Sequence, residues 1–455
     1  MSIQSINPAT GFEAYSFPSL NEEELEEYLN VSKRSFEIWS RTSFSERSEL
    51  ILNVAQILEK KKSHLARLMA EEMGKLYASG IAEIEKCIYL CRYFADKAED
   101  MLQDTLVSTE ARKSYISYRP LGIVLTVMPW NFPFWQVLRC AIPAIIAGNT
   151  VLLKHSSLVP ACALEIEKIF KEANAPVGVF KTLLIHSDQT EKCIAHDAVS
   201  AVSFTGSTEA GKIIASLAGK YLKKCVLELG GSDPYIVLKD ADISQAVKIC
   251  VKSRITNSGQ SCIAAKRFII DHTIYDVFLK KFVEEMDKLV MGFPMAEPTN
   301  IGPMASLKLR DELHTQVLES VKLGAKIELG GKIPHNAGAF YSPTVLSNVQ
   351  PGMPAFNEEL FGPVAALIKA EDEVDAIMLA NDSVFGLGAA IFSRDIEYAE
   401  KVGKELIEAG SVFINEAVRS DPRLPFGGIK MSGFGRELSS FGIKEFCNIK
   451  TVYVA

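Results

Sequence analysis

The sequence predicts an α/β protein with a mostly parallel sheet and a second α/β domain. From residue 123 onward, short apolar runs rich in β-branched residues alternate with segments of helical length, as in strands joined by helices. A second block of the same kind runs from about residue 235 to about residue 430. The chain has 455 residues, 48% of them hydrophobic and 23% charged, which is typical of a large globular protein.

The chain before residue 123 divides into a helical part and an exposed strand or hairpin. The first hundred residues are predicted to be helical, because apolar residues between Leu50 and Leu58 recur at helical spacing with charges on the other face. The segment 111–120 alternates instead and is rich in β-forming residues, which favours an exposed strand or hairpin.

Strands are predicted where a short apolar run stands between helix-length segments. These runs lie at 123–128, 150–154, 179–185 and 200–204 in the first block, and at 235–238, 266–271 and 388–392 in the second. Parallel strands of this kind bind nucleotides at their carboxyl ends. A helix is predicted over 274–290. The tail 447–455 is strand-like without a partner nearby in sequence, so another subunit is a natural candidate to cover it.

Charge and cysteine content argue against several classes of function. Lys plus Arg total 49 against 56 for Asp plus Glu, and the net charge of −7 disfavours nucleic-acid or membrane partners. No stretch reaches the roughly 18 apolar residues that span a bilayer, and no secretory signal pattern is visible. Nine scattered cysteines predict reduced thiols in the cytoplasm. Cys87 and Cys91 lie one helical turn apart without a nearby His, so no metal site is expected.

Three segments carry side chains suited to nucleophilic and acid–base chemistry. Cys262 follows small residues that leave its sulfur accessible as a nucleophile, with a buried structural cysteine as the alternative. Glu228 stands in an apolar run, where desolvation suits a general base, with a salt bridge as the alternative. Asn131 lies in a loop stiffened by Pro129 and Pro133, where its amide suits an oxyanion hole, with a helix cap as the alternative.

A glycine turn within 203–213 resembles a phosphate-binding loop. Its glycine and lysine are in place, but Ile213 stands where the magnesium-binding Ser or Thr belongs, which argues against ATP hydrolysis. The alternative is that Gly206 and the helix N-terminus after it bind another phosphate, such as a dinucleotide pyrophosphate.

Motifs along the whole chain resemble those of the aldehyde dehydrogenase superfamily. In order, they are INPATG at 6–11, PWNFP at 129–133, FTGS at 204–207, LELGG at 227–231, GQSC at 259–262, EELFGP at 358–363 and PFGGIKMSGFGRE at 425–437. Each motif is weak alone, whereas their order and intervals together are specific. The bacterial succinate-semialdehyde dehydrogenase subgroup is the most similar.

This resemblance implies a domain plan and a set of site residues. It implies a Rossmann-like dinucleotide-binding domain over 1–109 and 121–230, a catalytic α/β domain over 231–439, and a small β oligomerisation element from 110–120 and 440–455. By the same resemblance Cys262 is the nucleophile, Glu228 the general base and Asn131 the oxyanion-hole amide. The cofactor-binding positions that it implies are Trp130, Lys154, Ser157, Gly206, Ser207, Leu229, Glu359 and Phe361.

The resemblance also bears on the cofactor. Many NAD-specific members carry Glu three residues after the lysine that binds the ribose, and Ser157 stands there in this chain. Without a carboxylate to repel a 2′-phosphate, NADP is expected to be tolerated alongside NAD. His155 either adds positive charge near that phosphate or is an ordinary loop residue.

The substrate expectation depends on the residues that match a carboxylate site. Arg139 and Ser420 match positions that hold the distal carboxylate of succinate semialdehyde, with a structural salt bridge as the alternative for Arg139. Thr256 replaces a second arginine of some members, so Arg254 or Arg419 is a candidate substitute.

The expected activity is oxidation of succinate semialdehyde, or a similar short carboxylated aldehyde, with NAD or NADP through a cysteine thioester in a homodimer or homotetramer. The alternatives are a broad-specificity enzyme for uncharged aldehydes, a non-catalytic scaffold and a phosphate-loop enzyme.

Overall fold

The fold is that of a computed structural model, which describes residues 2–335 and 337–455. Helices make up much of it. The helices are α1 (Glu22–Trp39), α2 (Phe44–Met73), α3 (Tyr77–Met101), α4 (Trp135–Ile146), α5 (Pro160–Glu172), α6 (Thr190–Ala195), α7 (Thr208–Lys220), α8 (Ile243–Arg254), α9 (Tyr275–Asp287), α10 (Leu307–Lys322), α11 (Pro354–Asn357), α12 (Glu373–Asn381), α13 (Ile396–Glu405) and α14 (Ser439–Glu445). None of the helices in these two ranges is long and apolar enough to span a bilayer.

The strands alternate with these helices for most of the chain. They are β1 (Ser2–Ile6), β2 (Glu13–Pro18), β3 (Thr105–Leu106), β4 (Lys113–Pro120), β5 (Ile123–Met128), β6 (Thr150–His155), β7 (Phe180–Thr182), β8 (Val199–Thr205), β9 (Lys224–Glu228), β10 (Pro234–Val237), β11 (Arg267–Asp271), β12 (Lys326–Leu329), β13 (Thr344–Ser347), β14 (Val364–Ala370), β15 (Phe385–Gly386), β16 (Gly388–Phe392), β17 (Ser411–Ile414), β18 (Ile429–Lys430), β19 (Gly433–Phe434) and β20 (Cys447–Val454).

A six-stranded sheet in the order β19-β9-β8-β5-β6-β7 forms the first α/β unit. Its strands are parallel except β19, which runs antiparallel to β9. Val124 on one face packs into a core with helices α2 to α5, and Leu125 on the other packs into a core that includes residues of α1, α6 and α7. Every residue of β5 is buried, as expected of a central parallel strand with helices on both faces.

A seven-stranded sheet in the order β12-β13-β14-β11-β10-β16-β17 forms the second unit, with β12 alone antiparallel to its neighbour. Tyr235 faces a core that includes residues of α8 and α9, and Ile236 faces one that includes residues of α10, α12 and α13. The sequence therefore predicted the α/β class correctly, and β5 and β16 begin and end at the predicted residues.

A three-stranded sheet in the order β20-β4-β3 stands apart from the two large sheets. Strand β20 pairs antiparallel with β4 along its whole length, so the tail finds its partner more than 300 residues earlier in the same chain. The outer edge of β20 has no strand beside it within the part of the chain that the structure describes.

Three details of the fold differ from the sequence expectation. The N-terminus forms the antiparallel pair β1–β2 before the first helix, because Ile3 and Ser5 alternate inward on a strand too short to register as a pattern. Strand β7 spans only Phe180–Thr182 of the predicted 179–185. In the small third sheet, β3 lies before the predicted 110–120 segment but pairs with β4, and the predicted strand segment 440–455 begins with the helix α14 and is a strand only in β20.

Candidate active site

The first group of site residues lies at one edge of the six-stranded sheet. The loop 129–133 follows β5, Gly206 and Ser207 follow β8, and Leu229 follows β9, while Lys154 occupies the penultimate position of β6. Because these strands are parallel, their carboxyl ends meet at the same edge. The topology thus brings together motifs that are up to 100 residues apart in sequence.

His155 holds the loop 129–133 in place. Its Nδ1 accepts a hydrogen bond from the Ser156 backbone N–H at 2.8 Å, so its Nε2 carries the proton and donates to the Pro133 carbonyl at 3.0 Å. Burial lowers the pKa of His155 to about 4, which leaves the ring neutral at physiological pH. The structure therefore argues against the added positive charge, and it places His155 at the end of strand β6 and not in a loop.

The beginning of α4 is held by a carboxylate from α3. Glu83 Oε1 accepts hydrogen bonds from the backbone N–H groups of Phe134 and Trp135, each at 2.9 Å, and its other oxygen pairs with buried Lys75. These bonds satisfy backbone donors that a helix N-terminus leaves free. Asn131 does not cap this helix, so that alternative is not what the structure adopts.

The loop before Cys262 has an unusual backbone that brings it against two other loops. Asn257, Ser258 and Gly259 have φ of 53°, 56° and 79° in succession. A Cβ on Gly259 would lie 2.2 Å from the Gly362 carbonyl oxygen, so only glycine fits there. Non-glycine residues in this conformation cost free energy and cluster at functional sites.

The amide of Asn131 joins the loop 129–133 to the cysteine loop. Its Nδ2 donates to the Gln260 carbonyl at 3.1 Å, and its own backbone carbonyl accepts from Asn257 Nδ2 at 2.8 Å. One N–H of the Asn131 side chain is left over, since an amide nitrogen carries two. A donor held this rigidly beside a nucleophile is what an oxyanion hole requires.

Cys262 lies between two cavities, one of about 230 Å³ and one of about 320 Å³, and lines both of them together with Gln136. We call the smaller one the sheet-edge cavity and the larger one the basic cavity. Burial raises the pKa of the Cys262 thiol to about 12, opposed by the positive charges of Arg139 and Lys266. The alternative of a structural cysteine sealed in the core is not what the structure adopts.

The sheet-edge cavity contains most of the predicted cofactor positions. Its lining includes Trp130, Asn131, Gly206, Ser207, Leu229, Glu359 and Phe361. The rings of Trp130 and Phe361 meet edge to face at 5.8 Å. Glu359 accepts from the Gly231 N–H at 3.1 Å and lies 3.3 Å from Lys266 Nζ, which fixes the position of its carboxylate.

Two features of this edge fit a dinucleotide. Ser207 caps the N-terminus of α7, where free backbone N–H groups and the helix dipole favour a phosphate. Lys154 is partly buried, which lowers the pKa of its ammonium group, and the described residues offer it no hydrogen-bond or ion-pair partner. Ser157 is exposed three residues later, and neither Lys154 nor Ser157 lines the sheet-edge cavity itself.

Glu228 is buried beside Arg139 and Glu437. Neither of its carboxylate oxygens has a hydrogen-bond partner in the described residues, so the salt bridge considered for it does not form. Burial, and then the neighbouring Glu437, raise the pKa of Glu228 well above its usual range. In this position Glu228 lines neither cavity.

Arg139 and Ser420 both line the basic cavity, as the resemblance implies. Arg139 is 2% exposed, forms an ion pair with Glu437, and lies with its guanidinium 4.7 Å from the centre of the Phe426 ring. The salt-bridge alternative for Arg139 is thus also realised, within the chain. Its charge is already balanced by a carboxylate before any substrate binds.

The two candidate substitutes for the missing arginine differ in position. Arg419 lines the basic cavity and pairs with Glu416 at 3.3 Å. Arg254 is fully buried, lies outside the cavity lining and donates to the Gly259 carbonyl at 2.6 Å, so it supports the cysteine loop.

Two lysines of the basic cavity, Lys86 and Lys252, were missed by the sequence analysis. Lys86 belongs to α3 and donates to Ser420 Oγ at 2.7 Å, across 334 positions of sequence. No local motif marks either lysine. The helical spacing of α3 shows which residues share a face with Lys86, but the contact of α3 with α4 is visible only in the structure.

Comparisons with known proteins agree with this geometry. The model of the aldehyde dehydrogenase family matches residues 1–452. The chain is 46% identical over 455 residues to a protein of Synechocystis sp. named probable succinate-semialdehyde dehydrogenase (NADP+), and covers all of both chains. It is 46% identical over 449 residues to the succinate semialdehyde dehydrogenase (NAD(P)+) of Escherichia coli, covering 99% of this chain and 97% of that one.

A solved structure gives the same result. The succinic semialdehyde dehydrogenase of Streptococcus pyogenes, in complex with NADP+, superposes with a TM-score of 0.97 at 37% identity and 99% coverage of both chains. A family model over nearly the whole chain, full-length relatives and a cysteine between two cavities all lead to one conclusion. The chain belongs to the aldehyde dehydrogenase family.

Proposed function

We propose that this protein oxidises succinate semialdehyde, or a similar short aldehyde with a distal carboxylate, to the corresponding acid. NADP+ or NAD+ is the expected oxidant. The main support for the proposal is the positive charge of the basic cavity beside Cys262. Four basic side chains line it (Lys86, Arg139, Lys252 and Arg419). Glu437 and Glu416 pair with the two arginines, which leaves the two lysines without a carboxylate partner among the described residues. A carboxylated aldehyde balances this excess, whereas an uncharged aldehyde does not.

The covalent chemistry is assigned to Cys262. Its sulfur, as the thiolate, attacks the aldehyde carbon and converts the carbonyl oxygen into an oxyanion. The free N–H of the Asn131 amide and the Cys262 backbone N–H are the donors proposed to stabilise that charge. When bound, the dinucleotide supplies the acceptor for the hydride that leaves this carbon.

Release of the acid is assigned to Glu228. The thioester carbon on Cys262 is attacked by a water molecule, whose proton passes to the Glu228 carboxylate as the carbon–sulfur bond breaks. Burial raises the pKa of Glu228 in its present position, which favours the protonated form. Turning toward the solvated cavity removes part of that desolvation and lets the carboxylate act as a base.

The cofactor is proposed to lie along the carboxyl edge of the six-stranded sheet. Lys154 and Ser157 are assigned to the adenosine ribose, with Ser157 leaving room for a 2′-phosphate. Gly206 and Ser207 are assigned to the pyrophosphate at the N-terminus of α7. The ring and ribose next to Cys262 are assigned to Trp130, Leu229, Glu359 and Phe361. The names of the relatives, which include both NADP+ and NAD(P)+, support this choice of cofactor.

The domain plan and the assembly are part of the same proposal. The six-stranded sheet supports a dinucleotide-binding domain over 1–109 and 121–230, and the seven-stranded sheet a catalytic domain over 231–439. The free edge of β20 supports an oligomerisation element in a homodimer or homotetramer. The nine cysteines are all free thiols, which supports the predicted cytoplasmic location.

Steady-state kinetics on two aldehydes test the proposal. Succinate semialdehyde and butanal share a four-carbon chain and differ in the carboxylate, and each is assayed with NADP+ and with NAD+. We expect a higher kcat/KM for succinate semialdehyde and no turnover by Cys262→Ala. Equal or better use of butanal would instead identify an aldehyde dehydrogenase of broad specificity.

A further inference from the structure

Lys86 is a cation of the basic cavity without a carboxylate partner. Its Nζ donates to Ser420 Oγ at 2.7 Å and lies 4.0 Å from the centre of the Trp135 ring. No Asp or Glu oxygen of the described residues lies within 4 Å of it, whereas Arg139 and Arg419 of the same cavity are both ion-paired. Among the described residues, its hydrogen-bond partner is a hydroxyl group and its cation–π partner is an aromatic ring.

The charged groups that act on Lys86 from the surrounding elements leave its charge uncompensated. Arg139 on α4 repels it, and the carboxylates of Glu83 on its own helix and Asp421 in the loop beyond Ser420 attract it. Both carboxylates are already paired, Glu83 with Lys75 and Asp421 with Arg423. Cys87, the next residue of the helix, is a thiol with a pKa raised well above its usual range by burial.

The pair formed by Lys86 and Ser420 is chemically arranged as an anion receptor. An ammonium group has three N–H donors, of which the hydroxyl of Ser420 takes one. Because that hydroxyl accepts from Lys86, its own O–H remains free to donate. The two side chains thus offer several donors to one small region of the cavity wall, and charge-assisted donors of this kind bind carboxylates most strongly.

We propose that Lys86, together with Ser420, binds the distal carboxylate of the substrate and so determines the preference for a carboxylated aldehyde. This inference rests on the proposed function and assigns its specificity to a residue on α3. Arg139, whose charge is balanced by Glu437, then positions the wall of the cavity.

Protonation of Lys86 gives the proposal a second signature. Burial and the nearby Arg139 lower the pKa of its ammonium group to about 8. Above that pH the free enzyme loses the positive charge, so kcat/KM for succinate semialdehyde falls. The value for butanal at each pH serves as the internal reference, because titration of Cys262 and Glu228 affects both substrates.

The test compares Lys86→Met with Lys97→Met, a matched change at an exposed lysine of the same helix that lines neither cavity. We expect Lys86→Met to lower kcat/KM for succinate semialdehyde about ten- to a hundredfold, the range for one charged hydrogen bond, and butanal less than about threefold. Lys97→Met is expected to change neither by more than about threefold. The ratio of the two kcat/KM values is expected to fall above about pH 8 in the wild type and to be low and flat in Lys86→Met.

Two results overturn the assignment of Lys86. Equal losses for both aldehydes would make the lysine structural, and an unchanged ratio in Lys86→Met would place the carboxylate elsewhere. Either result leaves the proposed function intact as long as the wild type prefers succinate semialdehyde. A wild type without that preference would overturn the proposed function itself, and the Lys86 inference with it.

Discussion

At the scale of single residues, the site contains several buried polar and charged side chains. Burial raises the pKa of both Cys262 and Glu228, which favours the thiol and the carboxylic acid over the thiolate and the carboxylate. The neighbouring Arg139 opposes both shifts. Less burial, or a closer positive charge, would favour the ionised form of either group.

Replacing Asn131 with Ala removes one side-chain hydrogen-bond donor and should leave the surrounding loops in place. We expect Asn131→Ala to lower kcat by about 10²–10³, as removal of one oxyanion-hole donor does elsewhere. The melting temperature should change little, since the 2.8 Å bond from Asn257 goes to the backbone carbonyl and is kept. Single-turnover rates of reduced-cofactor formation provide the measurement. A loss below about threefold would mean that Asn131 only joins two loops.

At the scale of secondary structure, the sequence predicted those elements that have a clear hydrophobic pattern of their own. Strands β5 and β16 are buried on both faces and therefore read as uninterrupted apolar runs. The pair β1–β2 was missed because only two of its first five residues point inward. Most of the motif residues that the sequence singled out line one of the two cavities. Lys86 was not singled out, since no local pattern encodes its contact with Ser420.

Helix α3 supports the site through Glu83 as well as Lys86. Replacing Glu83 with Ala leaves the Lys75 ammonium buried without a partner and frees two N–H groups at the start of α4. We expect a loss of about 3–5 kcal/mol in the free energy of unfolding, the usual result of breaking a buried ion pair from one side. Thermal unfolding followed by circular dichroism measures it.

The matched control for Glu83 is Lys62→Met in the neighbouring helix α2. Lys62 pairs at the surface with Glu59 at 3.1 Å and with Glu85 at 2.9 Å, where water and salt screen the charges. The melting temperature of the Lys62→Met variant should stay close to that of the wild type. Equal effects of the two substitutions would show that the Glu83 pair contributes no more than a surface pair.

At the scale of the whole molecule, strand β20 is an open edge of the third sheet within the described residues. Strand β20 pairs with β4 on one side only, and it exposes Ile449 (61%) and Tyr453 (52%). An apolar edge strand of eight residues promotes association unless something covers it. This geometry agrees with a role between subunits.

Removal of residues 447–455 is therefore expected to yield monomers or aggregates in analytical ultracentrifugation. Because the deletion also uncovers β4, Ile449→Lys provides a milder variant that keeps the strand and places a charge on its exposed face. We expect it to weaken the assembly while leaving the melting temperature of the monomer nearly unchanged. If both variants retain the wild-type assembly, β20 does not join subunits.

The central claim is that succinate semialdehyde passes through a thioester on Cys262, and trapping that intermediate tests it most directly. In Glu228→Gln the water that releases the acid lacks its base, so the acyl group is expected to accumulate. The variant is mixed with succinate semialdehyde and NADP+, quenched in acid, digested and examined by mass spectrometry. We expect one succinyl group on the peptide that contains Cys262, and none in Glu228→Gln combined with Cys262→Ala. Full turnover by Glu228→Gln without a succinyl group on Cys262, or a succinyl group on a different cysteine, would contradict the account.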